Sequence, residues 1–335
     1  MPSVTSRLRG LTSAVALRGS STVVTSGDRR PVAGRHKESG HAGTDTTTVS
    51  PPPRPGASVS SPARRELAEF LRSRRRQVDP RAVGLPAGDA RRTPGLRREE
   101  VALLSGVSHT WYTWLEQGRD IRPSRQVVDA LARTLRMSPA EHEYLKDLAA
   151  PHHSQARGGA LQQGRGVPAH VQRLLDALGS SPAYAITASW SIVGWNRAYE
   201  RLYPGVAAAA PADRNLLWLV FTDPAVRELL GDWVTDSRRF LTQFRAEVGP
   251  RLADPDVVDL VARLEAASPH FRAGWASHDV DRFSSRERRF EHPRVGTLLL
   301  EHHQLTPADT PGLQLVVYTA AAGSDTAARL ARLSA

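Results

Sequence analysis

The chain has 335 residues, of which 40% are hydrophobic, and a formal net charge of +11. This length predicts two domains with additional segments, and the apolar fraction is sufficient for buried cores. Cysteine is absent, which excludes disulfides, thiolate metal sites and a cysteine nucleophile. The sequence contains no run of about eighteen apolar residues, which a membrane-spanning helix would need. We expect a cytoplasmic protein.

The excess positive charge lies in the first half of the chain. Residues 1–60 hold eight basic and three acidic side chains, a balance of +5, and residues 61–150 hold seventeen and twelve, again +5. Residues 151–335 hold twenty and nineteen, a balance of +1. A basic region favours a polyanionic partner, so we expect such a partner for the first half only.

Residues 1–62 predict a disordered tail. The segment is rich in Ser, Thr, Gly, Pro and Arg, and PPPRPGASVSSP at 51–62 suits neither a helix nor a packed strand. An arginine- and serine-rich start with few acidic residues also resembles an organelle transit peptide. A misassigned start codon is a further explanation.

Five helices are predicted between residues 63 and 150. The first begins near Pro62 and ends in a cluster of arginines, and a long loop rich in glycine and proline follows at 83–95. The fourth runs from about Ser124 to Arg136, and the fifth follows Ser138, because serine is a favoured N-cap.

The two central helices, within residues 97–118, carry the most specific signal. Gly106 permits the left-handed backbone that ends a helix, and Ser108 suits the N-cap of the next one. Two short helices joined by such a turn form a helix-turn-helix, whose second helix enters the major groove of DNA. The predicted inward-facing set is Val101, Leu104, Val107, Tyr112 and Leu115.

The pattern changes to a mixture of helices and strands from residue 167, after a predicted linker at 151–166. Two strands followed by a helix with Asn196 as its N-cap are typical of the start of a PAS-like domain. Strands are predicted at 183–187, 191–195, 285–291, 295–303 and 313–320, and helices at 167–179, 196–203, 213–221, 224–247, 254–266 and 324–333.

The segment from Pro94 to Leu145 resembles the lambda-repressor-like, xenobiotic-response-element-type helix-turn-helix, and more closely the MmyB-like transcriptional regulators. The resemblance continues through RNLLWLVFTDPAVREL at 214–229, FRAGWASHDV at 271–280, HPRVGTLLLEH at 292–302 and LQLVVYT at 313–319.

This resemblance implies a multidomain fold. An all-α five-helix DNA-binding domain at 63–150 would be followed by an α+β PAS-like effector domain at 167–335.

Base recognition is expected from the start of the second motif helix. His109, Thr110 and Thr113 are the candidates for base edges, and Trp111 is a candidate for a thymine methyl or a sugar. Nearby arginines are candidates for phosphate contacts, which position a protein without reading sequence. The complete predicted DNA-binding set is Arg98, Ser108, His109, Thr110, Trp111, Thr113, Arg119 and Arg122.

The resemblance also implies a lipophilic, fatty-acid-like ligand in an apolar pocket of the PAS-like domain. In the sequence alone, large aromatic residues such as those of this half more often belong to an ordinary core than to a pocket lining. The candidates for the lining are Trp218, Phe221, Phe240, Phe244 and Trp275. Arg214 or His278 is the candidate for holding a carboxylate head group, and the alternative for His278 with Asp279 is a structural turn.

No glycine-rich phosphate loop, nucleophile elbow or credible metal motif occurs in the sequence, so neither catalysis nor a cofactor is expected. We predict a sequence-specific regulator that binds double-stranded DNA as a homodimer, because one recognition helix reads few base pairs. The main alternative is a C-terminal domain that serves protein interaction or dimerisation and has no metabolite ligand. A third possibility is a non-specific nucleoid-binding protein.

Overall fold

The computed structural model describes residues 61–86, 94–150, 166–282 and 287–334. The tail predicted at 1–62 lies outside these residues apart from its last two. The linker predicted at 151–166 also lies outside them, apart from its last residue.

The first part of the described chain consists of the five predicted helices. Each of four helices starts behind a serine whose side chain accepts a hydrogen bond from the backbone N–H three residues later, which satisfies one free donor of the first turn. The helices are α1 Pro62–Gln77, α2 Arg98–Ser105, α3 His109–Glu116, α4 Arg125–Thr134 and α5 Pro139–Ala149.

The predicted turn between α2 and α3 is confirmed. Gly106 has a φ of 69°, and its N–H donates to the carbonyl of Ala102. Val101, Tyr112 and Leu115 are buried as expected.

The prediction for Leu104 is wrong, because this side chain is 41% exposed. The buried residues of α2 are Val101, Ala102 and Ser105. At 100° per residue the centre of that face lies about a quarter turn away from Leu104.

The second part of the described chain is an antiparallel sheet with helices on both faces. Its five strands have the order β2-β1-β5-β4-β3, which is the order of a PAS-like sheet, so the predicted α+β class is confirmed. The strands are β1 Ala183–Thr187, β2 Ile192–Trp195, β3 Glu287–His292, β4 Gly296–Leu305 and β5 Leu313–Ala320. The helices are α6 Ala169–Ala177, α7 Arg197–Leu202, α8 Gly205–Ala208, α9 Leu216–Thr222, α10 Pro224–Leu229, α11 Trp233–Val248, α12 Pro255–Ala267, α13 Pro269–Ala276 and α14 Thr326–Ser334. Among the described helices, none is both long and apolar enough to cross a bilayer.

The single helix predicted at 224–247 is wrong, because the chain breaks between α10 and α11. Leu230 forms an isolated antiparallel bridge with Phe290 of β3. Asp232 then caps α11 by accepting a hydrogen bond from the N–H of Thr235 at 3.2 Å. The local cap and the pairing with the sheet together outweigh the helical periodicity of the segment.

The inner face of the sheet carries an unusual polar residue, His302 of β4. Its ring stacks on Tyr318 of β5 with 5.2 Å between ring centroids, and only 3% of the residue is exposed. Burial, assisted by the positive charge of Arg288, lowers the pKa of His302 to about 2. The imidazole is therefore neutral in the folded protein at any ordinary pH.

This burial predicts a pH-dependent stability. In the unfolded chain His302 takes up a proton below about pH 6.5, whereas in the fold it does not, so stability falls as the pH is lowered from 6.5. The slope from one such group is about 1.4 kcal/mol per pH unit at most. We expect His302→Gln to reduce the slope of the free energy of unfolding against pH, between pH 6.5 and 5, by up to this amount. Urea denaturation at several pH values measures this slope. Equal slopes in the two proteins would contradict the prediction.

Candidate DNA interface and ligand cavity

The start of α3 presents the residues expected to contact DNA. His109 and Thr110 are exposed, and Ser108 caps the helix by accepting from the N–H of Trp111 at 3.1 Å. Arg119 and Arg122 are exposed just after the helix. The structure thus leaves these side chains accessible from solvent.

Two further predicted residues of α3 are less accessible. Trp111 is half-buried and packs against the core of the five helices. Thr113 is also half-buried, and its Oγ1 is shielded from solvent without a hydrogen-bond partner among the described residues. Their DNA contacts stay predictions.

The inner side of α3 carries a buried carboxylate that the sequence analysis missed. Glu116 accepts hydrogen bonds from Arg75 of α1 at 2.5 and 3.2 Å and from Arg98 of α2 at 2.6 Å. Burial alone raises the pKa of Glu116, but the hydrogen bonds and charge of Arg75, with help from Arg98, hold it below its usual value. The i, i+4 spacing from the inward-facing Tyr112 is the signal that identifies this position.

This arrangement changes the role expected for Arg98. The sequence analysis assigns it to a DNA phosphate, whereas in the structure its Nε is bonded to Glu116 and its side chain is 44% exposed. Arg98 therefore helps to fix the recognition helix α3 against α1 and α2.

An apolar cavity with a volume of about 40 Å³ lies on the inner side of the sheet. It is enclosed by α7, α9, α10, α11 and strands β3 and β5, and Phe240 is the one predicted ligand residue in its lining. The lining residues are Tyr199, Leu202, Tyr203, Leu216, Leu219, Val220, Val226, Leu229, Leu230, Phe240, Phe290 and Tyr318.

Several of the other predicted ligand residues form an aromatic core instead. Phe271 packs edge-on against Phe221 at 5.2 Å and stacks on Trp275 at 5.5 Å between ring centroids. Phe244 packs against Trp190 at 5.3 Å. Such contacts are favourable for aromatic rings in any core, and they account for these positions without a ligand.

The two remaining candidates on the α9 side, Trp218 and Arg214, each take part in a cation–π contact. The guanidinium of Arg263 lies 4.2 Å from the ring centroid of Trp218. Arg214 lies over Trp195 at 5.4 Å and donates to the carbonyl of Ala207 at 3.1 Å. Neither Trp218 nor Arg214 belongs to the lining of the cavity.

His278 lies away from the cavity, in a buried polar cluster that joins the two parts of the protein. Arg245 of α11 is fully buried and donates to Glu66 of α1 at 2.5 Å. Tyr144 of α5 donates to the same carboxylate at 2.9 Å. His278 Nδ1 lies 2.7 Å from Arg245 Nη1 and 3.1 Å from Glu66 Oε1.

Glu66 lies at the centre of this cluster, where Tyr144, Arg245 and His278 surround its carboxylate. Burial raises the pKa of Glu66, but the hydrogen bond from His278 and the positive charge of Arg245 outweigh it and lower that pKa to about 2. Arg245 also donates to the carbonyl of Trp275 and lies 3.8 Å from the centroid of its ring.

A second ion-pair group lies further along α1. Arg74 pairs with Glu141 of α5 and, at 3.0 Å, with Asp279, which also binds Arg238 of α11 at 2.7 Å. The turn at 278–279 is thus structural, as in the alternative interpretation of the sequence.

Glycine is required at 249, because a Cβ there would lie 2.3 Å from Cε2 of Tyr144.

The helix-turn-helix with its exposed α3, joined to a sheet domain with an apolar cavity, defines a DNA-binding transcription regulator with a ligand-binding domain. Residues 167–333 match the family model of the MmyB-like transcription regulator ligand binding domain, and residues 66–145 match a helix-turn-helix domain. The chain belongs to the MmyB-like helix-turn-helix regulators. A search of curated proteins finds no match to it.

The environment of Glu116 predicts a large effect on stability. Glu116→Gln leaves the guanidinium groups of Arg75 and Arg98 side by side without their carboxylate. Since an uncompensated buried charge costs about 3 kcal/mol or more, we expect a loss of that order in the free energy of unfolding, measured by urea denaturation.

Glu99→Gln is the matched control for this change. Glu99 is 64% exposed and lies 3.5 Å from Arg97, so its loss is expected to change stability by less than about 0.5 kcal/mol. Similar losses in the two variants would contradict the assigned role of Glu116.

Proposed function

We propose that this protein is a sequence-specific transcriptional regulator in which α3 reads bases and a fatty-acid-like ligand enters the apolar cavity. Binding would shift the population between arrangements that are competent and incompetent for DNA. The observation that carries the proposal is the bond between Glu66 and Arg245, because it joins the DNA-binding helices to a helix that lines the cavity.

The connection from the cavity to the recognition helix has three steps. On α11, Phe240 lines the cavity and Arg245 reaches the interface one turn later. On α1, Glu66 receives Arg245, and Arg75 on the same helix holds Glu116 of α3. The two contacts between helices are buried ion pairs, and they support a coupling of α11 to α1 and α3.

A coupling of this kind requires the cavity to enlarge when the ligand binds. A volume of about 40 Å³ is enough for about three water molecules, whereas small-molecule sites usually measure about 300–1,000 Å³. A fatty-acid-like ligand must therefore push the surrounding helices apart, and α11 is one of them.

The alternative is a C-terminal domain that binds a protein partner or a second copy of the chain and no metabolite. The small cavity favours this alternative. A panel of small lipophiles distinguishes the two functions, because a ligand of the folded state raises the melting temperature and an interaction module does not respond. We also propose a homodimer, since two recognition helices together read a longer site.

The DNA-reading proposal predicts different effects for two substitutions. Thr110→Ala is expected to relax the preference at one base position by about 1–3 kcal/mol, and Arg119→Ala to weaken binding to all sequences and reduce the salt slope by about 1. Fluorescence anisotropy on a selected operator and on random DNA, over a salt series, measures both. Exposed Arg272 on α13, changed to Ala, is the control. Equal loss on both DNAs for Thr110→Ala would remove it from the base-reading set.

The ligand proposal predicts saturable binding of a labelled C14 fatty acid and a change of operator affinity when it binds. In Glu66→Gln the fatty acid is expected to bind as before while the change of operator affinity becomes smaller, because the link to Arg245 loses its charge. Equilibrium binding and operator titrations with and without the fatty acid measure the two effects.

Glu99→Gln, on the exposed side of α2, is the control for this experiment. Absence of saturable binding would reject the lipid ligand. Unchanged coupling in Glu66→Gln would reject the interdomain link as its route.

A further inference from the structure

Arg288 is a cation on the inward face of the sheet. In the register of β3 with β4, it lies opposite Leu300, and it shares its face with Phe290 two residues later. Leu300 and Leu298 on this face are fully buried. A guanidinium at such a position requires a polar partner, because burying a charge without one is costly.

The guanidinium lies directly beside the cavity. Its Cζ is 4.6 Å from the ring centroid of Phe240, and Phe240, Phe290 and Tyr318 all belong to the cavity lining. The ring of Phe240 therefore separates the charge of Arg288 from the apolar space. Rotation of this one side chain would join the two.

Two nitrogens of the Arg288 guanidinium, which carry three of its five N–H donors, are unused. Its Nε and Nη1 are shielded from solvent, and neither has a hydrogen-bond partner in the part of the chain that the structure describes. The guanidinium of arginine has five N–H donors in a planar fork, and leaving charged donors buried and unpaired costs more than leaving neutral ones.

None of the described titratable groups nearby hydrogen-bonds Nε or Nη1 of Arg288. Asp236 of α11 lies 3.3 Å from Arg239, and burial raises its pKa, although the charge of Arg288 acts in the opposite direction. The charge of Arg288 also acts on His302 and Tyr318. Both of these side chains are neutral, since burial lowers the pKa of the histidine and raises that of the tyrosine.

We infer that Arg288 is the binding site for the anionic head group of an amphiphile whose apolar chain occupies the cavity. A planar guanidinium suits a carboxylate, which it can bind through two parallel hydrogen bonds, and sulfate and phosphate groups share this chemistry. The inference rests on the proposed function of the cavity. Arg288 takes the place of Arg214 and His278, which do not line the cavity, as the candidate for binding the head group.

The test compares three probes with the same C10 chain on the full-length protein: decanoate, decyl sulfate and decan-1-ol. Isothermal titration calorimetry is expected to show both anions binding the wild type at least tenfold more tightly than the alcohol. A preference for decanoate over decyl sulfate would identify a carboxylate site, and equal affinities would identify a general anion site; both support the inference. Equal affinities for the alcohol and the anions would overturn it.

Variants assign the preference to this residue. Arg288→Met is expected to bind the three probes with equal affinity, and Arg288→Lys to keep part of the preference for anions. Arg289→Met is the matched control, because Arg289 is on the same strand and 66% exposed, and it should retain the full preference.

A preference that survives in Arg288→Met would overturn the assignment, and so would its loss in the control. The wild-type comparison stands even if Arg288→Met fails to fold. If none of the probes binds the wild type, the proposed ligand function fails together with the inference. If all bind without discrimination, only the inference fails.

Discussion

The structure depends on one buried carboxylate, Glu66 of α1, and the guanidinium of Arg245 that binds it. Both groups are removed from water, and separating them would leave a charge unpaired at a cost of several kcal/mol. The ion pair therefore restricts how the DNA-binding helices and the sheet domain can move relative to each other. Because α1 also holds Glu116 through Arg75, the same helix sets the position of the recognition helix.

Much of the fold follows from local sequence signals. Ser108, Ser138, Gly106 and Asn196 specify helix ends through contacts within four residues, and they are found where the sequence predicts them. The break at 230–232 was not predictable in this way. It depends on a bridge to Phe290, which lies about sixty residues further along the chain.

The candidate sites show the same difference between features set by local sequence and features set by long-range packing. His109 and Thr110 are exposed because of their position at the start of α3, which the local pattern determines. The lining of the cavity depends on how helices from distant parts of the chain pack. For this reason Phe240 is the only one of the five predicted aromatic residues in that lining. The charged side chains of Glu66 and Arg245 look like ordinary surface residues in the sequence, since their partners are remote.

The small volume of the cavity has a kinetic consequence. A ligand that needs more space than about 40 Å³ can enter only during excursions in which α10, α11 or the ring of Phe240 has moved. Association is then slower than diffusion, and the release of a bound ligand must wait for the same movement. Such a regulator would respond to its ligand with a long residence time, and its transcriptional output would follow the average ligand concentration rather than brief fluctuations.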